Sequence, residues 1–225
     1  MKLTIAFLAA VLTACGGGGD STPAPIAITT TNPAAAWAKL LTSGGSWTTT
    51  GTGSDGAIYQ FAYKLVPSGN QSINGSAPHL TVTSSVTIKR AGVIASTGSE
   101  VLFLNTDNTI FATRTPDNIC VKPSSTSTPP AAASFGANGP LYAGLVSLNC
   151  SSALTIGTVV VTWGFESDQG APMFCVNRTE TQTLSTPSMV ATTSSCIEVS
   201  ATGDLLPRAK ITATATGGFS VTTRN

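Results

Sequence analysis

Two carboxylates near the end of an apolar segment are the residues best placed for chemistry. Glu166 and Asp168 lie two positions apart in the stretch WGFESDQG. In an extended strand this spacing places both side chains on one face. Paired carboxylates can serve general acid and base catalysis or bind calcium. Because SDQG is typical of a turn, we favour the alternative that both are solvated turn carboxylates.

The single histidine, His79, limits every other catalytic scheme. A Ser-His-Asp triad, a Cys-His pair or a histidine-metal site would each have to include it. Its place after a proline, at the predicted start of a strand, is typical of a surface histidine at a strand edge. A lone histidine also argues against a typical zinc site.

The glycines of GTGSDG, at residues 51–56, match the spacing of a dinucleotide-binding motif. That motif requires a helix after it, whose N-terminus holds the pyrophosphate. Here a strand follows, so the sequence predicts a glycine-rich hairpin turn instead. We therefore expect no catalytic residue, no metal site and no cofactor.

Three aromatic residues alternate along one predicted strand: Tyr59, Phe61 and Tyr63. Alternation places all three rings on the same strand face. An exposed face of this kind could stack sugar rings, whereas a buried one belongs to the core, and we predict burial. The three tryptophans are expected to pack in the core as well: Trp37, Trp47 and Trp163.

The elements that must position these residues are nearly all strands. The chain has 225 residues, of which 9% are charged, and its formal net charge is +1. It therefore lacks the excess of basic residues that is typical of nucleic-acid-binding proteins. Alternating Thr- and Val-rich runs between turn signals predict an all-β antiparallel sandwich or barrel of about ten strands. The predicted strands lie in residues 57–66, 80–90, 100–104, 109–115, 141–148, 154–166, 171–184, 195–201, 208–216 and 219–223.

One short helix is predicted before the first strand, with Asn32 as its cap, Pro33 in its first turn and glycines to end it. The Pro- and Ser-rich residues 122–134 indicate a linker or long loop. This divides the body into β-rich halves, 33–122 and 123–225. GSDGAIY and GANGPLY resemble each other across that division, so two related halves remain an alternative to two similar turns.

Residues 1–14 have the layout of a secretory leader, with one early lysine and a short apolar run. The four residues LTAC that end with Cys15 resemble the lipobox of bacterial lipoproteins. The resemblance implies a lipoprotein signal peptide, a diacylglycerol thioether on Cys15 and a fatty acid such as palmitate on the new amine. Gly16 in place of aspartate implies sorting to the outer membrane. The alternative is a secreted protein with a free Cys15 thiol.

The residues after the lipobox, 15–32, are rich in Gly, Pro, Ser and Thr and predict a flexible tether. With Cys15 assigned to lipid, four cysteines remain in an oxidising compartment, which favours two disulfides. We predict Cys175 with Cys196 and Cys120 with Cys150, because each pair closes a loop between neighbouring strand segments. Other pairings, or four buried thiols, remain open.

The composition of the chain after the tether resembles that of uncharacterised Thr/Gly-rich lipoproteins of proteobacteria. The stretches that carry this resemblance are GTGSDGAIY, GPLYAG and VVTWGFESD. That resemblance implies no particular activity, because none is assigned to these lipoproteins. We expect a non-enzymatic binding or envelope-structural role, with the membrane as partner through the lipid on Cys15. A glycan-binding module is the first alternative and a hydrolase that uses Glu166 and Asp168 is the second. Whether a glycan or a protein is the partner remains open.

Overall fold

A computed structural model describes residues 30–183 and 188–225. It has one helix and fourteen strands within these residues, which confirms the predicted all-β class. The elements are β1 (Thr30–Thr31), α1 (Pro33–Thr42), β2 (Gly45–Thr52), β3 (Ile58–Gln71), β4 (His79–Arg90), β5 (Val93–Leu104), β6 (Ile110–Arg114), β7 (Cys120–Thr126), β8 (Ala133–Ser134), β9 (Asn138–Ser147), β10 (Thr155–Asp168), β11 (Ala171–Gln182), β12 (Met189–Val199), β13 (Leu205–Ala215) and β14 (Phe219–Arg224).

Twelve of the strands form one closed antiparallel barrel. Its neighbours follow the order of the chain from β2 to β7 and from β9 to β14, and β7 pairs with β9. The ring closes between β14 and β2, where Arg224 lies opposite Thr50. The hydroxyls of Thr49 and Thr223 are 2.6 Å apart across this seam and are buried. The short strands β1 and β8 pair outside the barrel.

The barrel interior is filled by alternate residues of each strand, as the period of a strand requires. In β10, Val159, Val161, Trp163 and Phe165 are all at most 5% exposed, whereas Val160 between them is 48% exposed. The buried members belong to one core that also includes residues of α1. The alternating apolar runs of the sequence therefore give the barrel its inner face.

The predicted helix caps and its glycine stop are present in α1. The side chain of Asn32 accepts a hydrogen bond from the backbone N–H of Ala35 at 2.9 Å, and Pro33 is the first helical residue. After the helix, Gly44 has φ of +66°, a conformation that favours glycine. Trp37 donates to the carbonyl of Asn108 at 3.0 Å, in the loop between β5 and β6. These contacts fix α1 across one end of the barrel, which we call the closed end.

Part of the segment predicted as a linker lies in the barrel wall. Residues 122–126 belong to β7 and pair with β9. Pro123 fits there because the register shifts between Pro123 and Ser125, and a bulge tolerates a residue without an N–H. The boundary proposed between residues 122 and 123 falls inside β7, and both predicted halves supply strands to the same barrel. The two similar stretches GSDGAIY and GANGPLY lead into β3 and β9, which run in opposite directions.

Both predicted cysteine pairs are confirmed at disulfide distance. Cys120 of β7 is bonded to Cys150 in the loop after β9. Cys175 and Cys196 lie directly opposite each other on β11 and β12. Because Phe174 and Ile197 beside them face the core, this second bond lies on the outer face of the wall.

Candidate ligand-binding cavity

A cavity of about 420 Å³ occupies the barrel interior next to α1. The helix supplies Trp37, Leu40 and Leu41 to its floor, and each of them is at most 6% exposed. Farther from the helix, Gly98 and Thr193 line the cavity and are themselves exposed to solvent. The cavity therefore opens at the end of the barrel opposite the helix, which we call the mouth.

Three charged side chains meet inside this cavity. Nη1 of Arg178 donates to both carboxylate oxygens of Glu100 at 3.2 Å, and Nη2 donates to Glu180 at 3.1 Å. Nη1 also lies 3.4 Å from the hydroxyl of Tyr142. Arg178 and Glu180 are on β11, whereas Glu100 is on β5, five strands away around the ring. The ion pair between Arg178 and Glu100 therefore crosses the barrel interior. We call Glu100, Tyr142, Arg178 and Glu180 the polar cluster.

Arg178 stays charged in this setting. Burial opposes its charge, but the neighbouring Glu100 and Glu180 carboxylates and Tyr142 outweigh burial and raise the pKa of Arg178 above its ordinary value. Its side chain is 26% exposed, and those of Glu100 and Glu180 are 22% and 29% exposed. With both carboxylates ionised, the cluster holds one positive and two negative charges.

Two tyrosines complete the polar part of the cavity. Burial raises the pKa of the Tyr63 hydroxyl to about 12. Burial, together with the negative charge of Glu100, also raises the pKa of Tyr142. Both phenols are therefore neutral at physiological pH and keep their hydrogen-bonding protons. The remainder of the lining is apolar next to the helix, and nearer the mouth it combines apolar side chains such as Val86 and Ala213 with small hydroxyl side chains: Ser84, Ser85, Ser99, Thr193 and Ser195.

The predicted aromatic face points into the barrel. Tyr59 and Phe61 are 8% and 3% exposed and belong to one buried cluster, as predicted. Tyr63 is half-buried, stacks on Trp47 with ring centroids 6.2 Å apart, and lines the cavity. Phe61 also lines the cavity, so the face is core at Tyr59 and part of the candidate site at Phe61 and Tyr63.

Glu166 and Asp168 share one strand face, as their spacing predicts, but that face is the outer wall of the barrel. Arg224 donates two hydrogen bonds of 2.8 Å to the carboxylate of Asp168. Lys210 pairs with Glu166 and lies 3.8 Å from Asp168. The hydrogen bonds from Arg224 lower the pKa of Asp168 despite its burial. Neither carboxylate lines the cavity.

Glu166 also lies near two sulfur atoms. Its carboxylate, Cys175 and Cys196 have potential metal-ligand atoms within 4.8 Å of one another. The two sulfurs are bonded to each other, and a disulfide does not supply the thiolates that a zinc site requires. The grouping is therefore explained by the disulfide and the nearby ion pair.

The other two sequence candidates have structural partners. His79 lies at the start of β4, with Nδ1 3.1 Å from the carbonyl of Leu104 and its ring stacked 4.0 Å from that of Phe111. The GTGSDG stretch forms the turn between β2 and β3, where Gly56 has φ of +76° and Asp55 pairs with Arg90. Cys15, the leader and residues 15–29 of the predicted tether lie outside the described residues.

The polar cluster was not predicted from the sequence, although its strands carry a signal for it. Arg178 and Glu180 continue the alternation of Phe174 and Val176, which face inward. Glu100 is likewise in phase with Leu102 on β5. A charged residue in phase with a core face must either be paired inside or line a cavity. This phase would have identified the site residues without identifying their partners.

The chain matches no family model, no curated protein and no solved structure. Among residues 30–183 and 188–225, no helix combines the length and apolar character needed to cross a membrane.

Proposed function

We propose that this protein binds a small amphipathic molecule in the barrel cavity. The observation that carries the proposal is the cavity itself, with an apolar floor on α1 and a polar cluster above it. Small-molecule sites are typically concave, mostly apolar and equipped with a few convergent polar groups, with volumes of about 300–1,000 Å³. A ligand with an apolar body and one polar group matches this arrangement.

The positions of Glu166 and Asp168 argue against hydrolysis by that pair. Glu166 and Asp168, the pair considered for hydrolysis, are held on the outer wall by Lys210 and Arg224. A molecule in the cavity therefore cannot reach them. A sugar-binding platform on the outer surface has less support, because Tyr59, Phe61 and Tyr63 all face the barrel interior. We therefore rank binding of an amphipath above glycan binding and above hydrolysis by Glu166 and Asp168.

A pair of tryptophan variants tests whether the cavity is the binding site. Gly98 faces inward, and a Cβ built there would meet only Val86 within 4 Å, at 3.4 Å. Gly98→Trp should therefore place an indole in the cavity. We expect it to weaken saturable binding of the neutral fluorophore N-phenyl-1-naphthylamine about tenfold or more, the scale of losing ~1.4 kcal/mol.

Thr97→Trp is the matched control, because Thr97 is the exposed neighbour on the same strand and faces outward. Its affinity should stay at the wild-type value. Equal weakening by both variants, or no saturable binding to the wild-type protein, would refute the cavity as the site.

We further propose that a lipid on Cys15 holds the protein at the bacterial outer membrane. The support is the LTAC stretch after a short apolar run. Two or more acyl chains give stable anchoring where one chain is marginal. Full-length protein should therefore sediment with membranes and Cys15→Ser should become soluble. Equal membrane association of the two proteins would contradict the proposal and leave ligand binding unaffected.

A further inference from the structure

We propose that the amphipath bound in the cavity is a cation, with a positively charged nitrogen group at the polar cluster and its apolar part on the floor formed by α1. This inference rests on the proposed ligand-binding function. It adds the charge of the ligand and the direction in which the ligand lies.

The charge of the site favours a cation. Among the described residues that line the cavity, the charged ones are Glu100, Arg178 and Glu180. Two carboxylates against one guanidinium leave one negative charge without a counter-charge. A cationic ligand would bring the site to neutrality, whereas an anionic ligand would raise it to two negative charges in a partly desolvated space. Charges removed from water are tolerated when they are paired.

The guanidinium of the cluster is already paired, whereas one carboxylate oxygen has no partner within the described part of the chain. Arg178 is the group that would bind an anion, but both of its Nη atoms already donate to carboxylates. Only one oxygen of Glu180, Oε2, accepts a hydrogen bond from Arg178. Oε1 of Glu180 accepts no hydrogen bond from any residue that the structure describes. A carboxylate oxygen therefore remains available to a cation, whereas the positive charge of the guanidinium is already balanced by carboxylates.

The surfaces around the polar cluster also suit a cation. Tyr63 and Tyr142 line the cavity beside the cluster, and aromatic faces attract cations, including quaternary ammonium groups. Both phenols stay neutral because burial raises their pKa values. At the floor, the indole of Trp37 and the side chains of Leu40 and Leu41 present apolar surface. The arrangement orients an amphipath with its cationic group at the cluster and its tail on the helix.

The test compares three ligands with the same ten-carbon chain: decyltrimethylammonium, decanol and decanoate. Each is used as a monomer to displace N-phenyl-1-naphthylamine from the wild-type protein at about pH 7. We expect the cation to bind about tenfold or more tightly than decanoate, a difference of ~1.4 kcal/mol, with decanol between them. Added salt should reduce the preference, because ion pairing is screened.

A pair of charge variants tests which carboxylate sets the preference. Glu180→Gln should bring decyltrimethylammonium and decanol to within about twofold of each other, since one carboxylate and one guanidinium then balance. Glu198→Gln is the control, because Glu198 pairs with Arg208 and does not line the cavity. It should leave the ranking unchanged. Thermal unfolding of both variants establishes that they are folded.

The outcomes separate the two proposals. If neither the fluorophore nor any of the three ligands binds, both the binding function and its cationic specificity are wrong. If decanol binds as tightly as the cation, or decanoate binds more tightly, the binding function stands and the cationic inference is refuted. The ranking in the wild-type protein decides this even if Glu180→Gln does not fold.

Discussion

Asp168 and Arg178 are both ion-paired, but their surroundings differ. The Asp168 carboxylate lies on the outer wall with its side chain 12% exposed, and Arg224 binds it through two parallel hydrogen bonds. Such bidentate, charge-assisted contacts are among the stronger hydrogen bonds in proteins. They link β10 to β14, which are four strands apart in the ring. Asp168 therefore stabilises the wall of the barrel, whereas Arg178 lines the cavity.

Asp168→Asn should lower the free energy of unfolding by about 1.5–3 kcal/mol at neutral pH, the usual range for a hydrogen bond to a charged group. Arg224 holds the pKa of Asp168 below its ordinary value of 3.8. The contribution of the carboxylate is therefore complete above that ordinary value and is lost as the pH falls through the lowered value. Urea unfolding at neutral and acidic pH should show the wild-type advantage shrinking below about pH 4.

Asp117→Asn is the control for this measurement, because Asp117 is exposed in the turn before β7. It should change the unfolding free energy by less than about 0.5 kcal/mol at either pH. A difference between the wild type and Asp168→Asn that is the same at both pH values would show that charge is not the cause.

The helix α1 has one face in the core and one in solvent, and the two faces should respond differently to truncation. Leu41 is 1% exposed, so Leu41→Ala should destabilise the protein by about 2–5 kcal/mol. Lys39 forms an exposed ion pair with Asp204, and Lys39→Ala should cost less than about 1 kcal/mol. Urea unfolding measures both variants. Equal losses would contradict the assignment of α1 as the floor of the core.

Element by element, the sequence predicts the strands best where one face is buried. The alternation of β10 corresponds to its buried and exposed residues, and the helix caps are local signals that Asn32 and Pro33 carry by themselves. β5 was predicted from residue 100 but begins at Val93. Residues 93–98 are exposed on both faces near the mouth. Such a segment lacks the apolar alternation from which strands are recognised.

At the scale of the whole molecule, the candidate site depends on closure of the ring. Phase along β5 and β11 could have shown that Glu100, Arg178 and Glu180 face inward. Their meeting depends on the number of strands between β5 and β11 and on the register of each pair, which sequence spacing does not contain. The outer pairing of Asp168 with Arg224 has the same origin. Local sequence patterns therefore predict the strands of the barrel wall. They do not predict which side chains from distant strands come into contact.

The edges of β14 and β2 can pair within one chain or with the edges of another chain. Thr49 and Thr223, which meet there, are separated by 174 positions in the chain, whereas the other barrel neighbours are joined by short connections. If the seam forms last, the sheet is until then an open strip with an unpaired edge at each end. Unpaired edges can associate with those of another chain, so ring closure competes with end-to-end linking of strips. Dilution favours the closed monomer because closure is intramolecular, and crowding of newly made chains favours strand-exchanged assemblies.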